Sequence, residues 1–169
     1  MNQLKISFLL YFAFACFGGY CQNSSERVSP ARVETKDVNG TKISINYSSP
    51  AVKGRTIWGD LVPYNTVWRT GANEATTIEF EKDVKINNTA IPAGTYALFT
   101  LPTDENWTII LNKEARQWGA FNYDKSKDVI RFESKPTKSK EFNENLSFVI
   151  EKNTVNLYWE NLELGFNIE

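Results

Sequence analysis

From Val33 to the C-terminus, hydrophobic residues recur at every second position, the period of a strand that buries one face and shows the other to water. Ile43, Ile45 and Tyr47 alternate with Lys42, Ser44, Asn46 and Ser48, and Ile78 and Phe80 with Thr77, Glu79 and Glu81. Val155, Leu157 and Trp159 alternate with Asn156, Tyr158 and Glu160, and Leu162, Leu164, Phe166 and Ile168 repeat the pattern. Turn chemistry separates these runs. Asn39-Gly40 offers two positions that tolerate the positive φ of a type I′ hairpin turn. Asn87-Asn88, Pro92-Ala93-Gly94, Pro102-Thr103-Asp104 and Asn153-Thr154 supply further reversals.

The pattern predicts strands over 31–37, 42–48, 76–81, 84–86, 95–101, 107–111, 128–134, 146–151, 154–160 and 162–168. A helical segment of one or two turns is expected at Asn112 to Gln117. The expected fold is all-β, an antiparallel β-sandwich or jelly roll of about nine to ten strands with at most one short helix. Its core should hold Ile43, Ile45, Phe80, Leu98, Ile109, Phe148, Ile150, Leu157, Trp159 and Phe166.

Two stretches break the alternation. Ser49 to Ala75 contains Gly54, Gly59, Pro63 and Gly71, and a loop that long in a compact domain is either functional or packed under its own side chains. Asn112 to Lys127 carries Trp118-Gly119 and a charged tip from Asp124 to Asp128. That tip resembles the opening of a calcium loop, but Val129 stands where the glycine is required and Lys135 where the glutamate would be, so no metal is expected.

Ahead of the strands, Lys5 precedes the apolar run Ile6 to Phe17 and the small residues Gly18 and Gly19, the shape of a secretory signal. The run is shorter than the roughly 20 apolar residues of a spanning helix. The expected organisation is a signal peptide at 1–21, a flexible mature N-terminus at 22–29 and a single β-sandwich domain at 30–169. The expected location is therefore the periplasm or the extracellular space, with no transmembrane segment in the mature chain. Lipid anchoring on Cys16 or Cys21 is disfavoured by the bulky Phe14 and Tyr20 just before them. Removing 21 residues leaves about 148, enough for one self-sufficient core. Both cysteines leave with the leader, and thiolate chemistry and disulfides go with them.

Composition narrows the chemistry further. The 169 residues include no histidine, which excludes Ser-His-Asp and Cys-His nucleophile systems and His-based zinc sites. Nineteen basic against 20 acidic residues give a formal charge of −1, against the basic face that a nucleic-acid binder carries. No cofactor is expected, and protein partners are unknown.

Four segments, Gly54-Arg55-x-Ile57-x-Gly59, Val67 to Thr76 (V-W-R-T-G-A-N-E-A-T), Pro92-Ala93-Gly94-Thr95-Tyr96 and Gln117-Trp118-Gly119, together resemble a bacterial family known as domain of unknown function 2911. The resemblance runs from about Pro30 to Ile168. It implies an exported compartment, as its members look like secreted or envelope proteins, mostly of Bacteroidota, and an all-β fold, but no reaction.

The candidate ligand-binding residues are Trp58, Trp68, Arg69, Asn73, Glu74 and Trp118. Arg69 offers a planar fork of donors, Asn73 an amide and Glu74 a carboxylate, with Gly71 between them for a tight turn. Trp58, Trp68 and Trp118 fall in the irregular stretches, where an open indole beside polar groups suits a pyranose ring. Trp107 and Trp159 fall on strands and should be core. The leading reading is a non-catalytic binding module for a carbohydrate or other small polar ligand. One alternative is a structural or protein-interaction module in which Arg69 pairs with Glu74 and the motif holds the fold. Another is a carboxylate-based glycoside hydrolase drawing on Glu74 with Asp60, Glu114 or Asp124. No catalytic residue is assigned.

Overall fold

The computed structural model describes residues 27–169; the expected signal peptide, cleavage site and cysteines lie outside the described residues. Ten strands follow in order: β1 (Ala31–Val38), β2 (Thr41–Ser48), β3 (Thr77–Phe80), β4 (Val84–Ile86), β5 (Thr89–Ile91), β6 (Gly94–Leu101), β7 (Trp107–Asn112), β8 (Asp128–Ser134), β9 (Thr137–Glu151) and β10 (Thr154–Asn167). Six of them form one sheet in the order β1-β2-β3-β6-β7-β8, every pair antiparallel. β9 and β10 form a long hairpin, and β4 and β5 a short one. The fold is an all-β sandwich. Among the described residues no helix is long and apolar enough to cross a membrane.

Inward-facing residues of the large sheet, among them Ile43, Ile45, Ile78, Phe80, Leu98 and Ile109, pack with Phe148, Ile150, Val155, Leu157, Trp159 and Phe166 of the hairpin in one core. All ten residues expected in the core are buried. Asn39 and Gly40 take φ of +54° and +77°, the values of the expected type I′ turn, and set Val38 opposite Thr41. Asn87 and Asn88, at +49° and +62°, turn β4 into β5 in the same way.

Three expectations are corrected. β9 begins at Thr137, not at residue 146, because its first half (Thr137 to Asn145) is mostly exposed and polar and shows no apolar alternation. The strands expected at 154–160 and 162–168 are one strand, β10, interrupted by register shifts around Glu160, whose φ is +56°. The expected helix at Asn112 to Gln117 is absent. Asn112 ends β7 fully buried; its amide donates to Asp124 O at 2.9 Å and to the Asp128 carboxylate at 2.7 Å, and its Oδ1 accepts from the Glu114 N–H. These bonds hold the chain in an Asx turn and not in a helix. The only helical turn among the described residues is a 3₁₀ turn at Lys125–Lys127, capped by Asp124.

One feature of the large sheet positions the site. β6 and β7 are buried on both faces, because Ala75, Ala97, Phe99 and Ile110 form a second small core on the side away from the hairpin. Val67, Ala120 and Tyr123 cover it. Val67 and Ala75 of the first irregular stretch and Ala120 and Tyr123 of the second thus lie on the outer face of the sheet, the stretches joined by a bridge between Glu74 and Trp118, while Val52, Ile57 and Val62 of the first pack into the main core. Tyr123 is tied down by Asp128, at 2.6 Å, and Arg131, at 2.6 Å. Burial, then the Asp128 hydrogen bond, pushes its phenol up to about 12.

Candidate functional site

The segment Trp68 to Thr76 folds around two left-handed residues, Thr70 at φ +53° and Asn73 at +58°. For a β-branched residue this conformation costs about 1–3 kcal/mol and persists only where the surroundings fix it. Here the Thr76 hydroxyl donates to Thr70 O at 2.9 Å, and Thr70 Oγ1 bonds Thr100 Oγ1 at 3.2 Å. Gly71, expected to make the turn by its own freedom, has no positive φ. It is needed for close approach: a Cβ there would lie 2.9 Å from Thr76 Oγ1 and 3.1 Å from Ser48 O.

The turn sends the candidate residues to different sides. Arg69 and Asn73 line one cleft of about 530 Å³, together with Trp68 and Trp159. Glu74 and Trp118 line a second, of about 750 Å³, against the outer face of β1, β2 and β3. Arg69 and Glu74 therefore do not form the ion pair on which the structural alternative rests. Glu74 binds Arg27 at 2.8 Å, and that hydrogen bond holds its carboxyl below the usual range. Asn73 donates to Ser29 O at 3.2 Å and so fastens the start of the described chain beside the first cleft.

Arg69 has no acidic partner among the described residues. Among the described residues its Nε is buried with no hydrogen-bond partner, and burial lowers its pKa from the ordinary value. Trp159, 1% exposed, has an equally buried and unpartnered Nε1. Both orphan donors belong to residues of the same wall. Among the described residues Lys53 and Arg55 bring the cations lining this cleft to three, and no Asp or Glu lines it. Arg55 is aimed by its own loop, donating to Val52 O at 3.0 Å and to Ala51 O. Gly119, at φ +64°, passes under the Phe121 ring and beside the Arg69 guanidinium: a Cβ would lie 3.0 Å from the ring and 3.5 Å from Nη1. Sequence reasoning singled out Arg69, Trp68 and Asn73 here but not Lys53, Arg55, Phe121 or Trp159. Arg55 stands in a segment already marked by its glycines, so that signal was present.

The tryptophans divide sharply. Trp58 and Trp68, candidates for either a ligand platform or loop packing, join Trp107 and Trp159 in a four-ring cluster. Trp58 meets Trp107 edge-on at 4.9 Å, and Trp68 stacks on Trp159 at 5.9 Å. Only Trp118, 58% exposed, keeps an open ring.

Residues 29–168 match the family described as "Protein of unknown function (DUF2911)". The chain belongs to that family. The match spans all ten strands of this DUF2911 fold and both clefts' motif segments. No curated protein and no solved structure matches the chain.

Three of the carboxylates considered for hydrolysis are engaged by neighbouring groups. Glu74 is held by Arg27, Glu114 by Lys127 at 2.8 Å, and Asp124 by the Ser126 amide and hydroxyl. Glu74, kept ionised by Arg27, is an acceptor at neutral pH and not a proton donor.

Proposed function

We propose that this chain is an exported binding module whose first cleft takes a small ligand carrying an anionic acceptor group on an apolar body. The observation that carries this reading is the charge of the cleft lining: Lys53, Arg55 and Arg69 line it, and among the described residues no Asp or Glu does. Three cations in one lining favour a ligand oxygen that is charged, because a charge-assisted hydrogen bond is roughly twice as strong as a neutral one. Three of the large apolar side chains left in water rim the same cleft: Val28, Leu61 and Phe121, the last 81% exposed. They would cover the apolar part of such a ligand. A neutral carbohydrate fits this cleft less well, because no carboxylate accepts from its hydroxyls and the indoles nearby are turned onto one another.

The remaining motif residues do structural work, which supports the architectural alternative for them alone. Thr70, Gly71 and Thr76 fix the turn, and Asn73 holds the N-terminal segment. They set Arg69 where it stands.

Titration with 3-phenylpropionate, 3-phenylpropionamide and sulfate tests the reading by thermal shift. The acid should raise the melting temperature, a ligand at a hundred times its dissociation constant adding about 2.7 kcal/mol, while the amide gives no shift. An acid without effect, or an amide that matches it, removes the proposal. Export rests on Lys5 and the apolar Ile6 to Phe17 run. The mass of the protein from its native host should lack about 15 to 21 N-terminal residues, and an intact Met1 would refute it.

A further inference from the structure

The second cleft differs from the first in carrying acids, Glu74 and Glu79, beside its arginines Arg27, Arg32 and Arg116. It lies against the outer face of the large sheet, with Asn46 of β2, Thr77 and Glu79 of β3 and Thr95 of β6 as its floor and the segment Ala115 to Trp118 as its wall. In that wall Gln117 Oε1 is buried, with no partner among the described residues. The orientation of that amide is fixed from the other side, since Nε2 donates to Glu114 O at 2.6 Å, a bond the oxygen could not make. Beside it stands Trp118, the one tryptophan of five with an exposed ring. Facing it is the Arg27–Glu74 pair, half-exposed and 2.8 Å apart, which presents a donor and an acceptor side by side.

A ligand suited to these groups must exchange both donor and acceptor bonds with a charged pair. It must also lay an apolar face on an indole. Hydroxyl groups donate and accept at one atom, and a pyranose carries them around a ring whose C–H face is apolar. An anion answers the first cleft but not this one, because Glu74 and Glu79 oppose its arginines. We infer that the second cleft is a saccharide site, independent of the ligand of the first, with Trp118 as stacking platform and the Arg27–Glu74 pair as a two-way partner. The site is an open groove on a sheet face and not a closed cavity, which suits several sugar units of a chain.

Six soluble hexasaccharides of different linkage and stereochemistry make the test: those of cellulose, xylan, laminarin, amylose, mannan and chitin. Binding is read by calorimetry and by iodide quenching of tryptophan emission, which reports mainly on Trp118. At least one hexasaccharide should bind and reduce the quenching constant by half or more. Trp118→Ala, which leaves the fold intact because the ring is exposed, should weaken that binding about tenfold or more, the loss of a central contact. Arg69→Met should leave it unchanged. Failure of all six to bind, or binding indifferent to Trp118→Ala, overturns the inference. Binding abolished by Arg69→Met would also overturn it, by placing the sugar in the first cleft.

Discussion

Arg69→Met is expected to melt at the wild-type temperature or a few degrees above it while losing affinity for an anionic ligand by about thirty-fold or more. The two halves of this result come from the same geometry. A half-buried guanidinium whose Nε meets no acceptor has given up water without recovering a bond. Methionine fills nearly the same space with no polar atom to satisfy, so the folded state loses a penalty and not a contact. Surface charges contribute at most about 1 kcal/mol, which bounds what the lost cation can cost. The ligand, by contrast, loses a charge-assisted bond in a desolvated wall, and truncating such a partner costs about 2–5 kcal/mol of binding. Thermal melts of the variant, with and without 3-phenylpropionate, read both effects. Had Arg69 been paired with Glu74, removing it would have stranded a carboxylate at about 3–5 kcal/mol; with Glu74 on Arg27 that penalty does not arise. A fall of more than about 5 °C, a kcal/mol or more for a domain of this size, would make Arg69 part of the scaffold and end the binding reading of the first cleft.

The structure shows which parts of this outcome the residues announce and which they conceal. Alternation marks a strand only when its two faces meet different solvents. β2 and β3 are therefore plain in the chain, and Ile43, Ile45, Ile78 and Phe80 fall where the pattern puts them. The first half of β9 lies largely in water on both faces and looks like a loop. Asn112 to Gln117 has helix-compatible residues, but a buried asparagine amide outcompetes the helix for the local backbone. The candidate motif is a harder case. Arg69 and Glu74 are five residues apart with opposite charges, and pairing them is the natural reading of the chain. Two left-handed residues between them, Thr70 and Asn73, reverse it. Nothing in a threonine advertises a positive φ; that conformation is imposed by Thr76 and Thr100, one of them thirty residues away in sequence. Trp159 is concealed for a related reason. Its position on β10 predicts the core, correctly, but the missing partner of its Nε1 is a property of everything around it.

Trp107→Ala carries the largest expected loss of stability, and it separates the scaffold of the first cleft from its chemistry. Trp107 is 1% exposed, meets Trp58 at 4.9 Å and Trp68 at 6.3 Å, and spends its Nε1 on Thr103 O at 3.1 Å. Deleting a buried indole removes its transfer free energy and leaves a cavity that rigid neighbours cannot fill, together about 3–5 kcal/mol. For a domain of this size the melting temperature should fall by roughly 10 to 20 °C. Trp68, stacked on Trp159 in the cleft wall, is held from behind by Trp107. The same substitution should therefore loosen the wall and weaken 3-phenylpropionate binding even where the variant remains folded. Arg69→Met does the converse, leaving the wall firm and removing the charge. A melt of Trp107→Ala within about 3 °C of wild type, a shift worth under about 1 kcal/mol, would mean that the four indoles do not form a packed unit. Trp58 and Trp68 would then return to the open-platform role that their place in an irregular stretch first suggests.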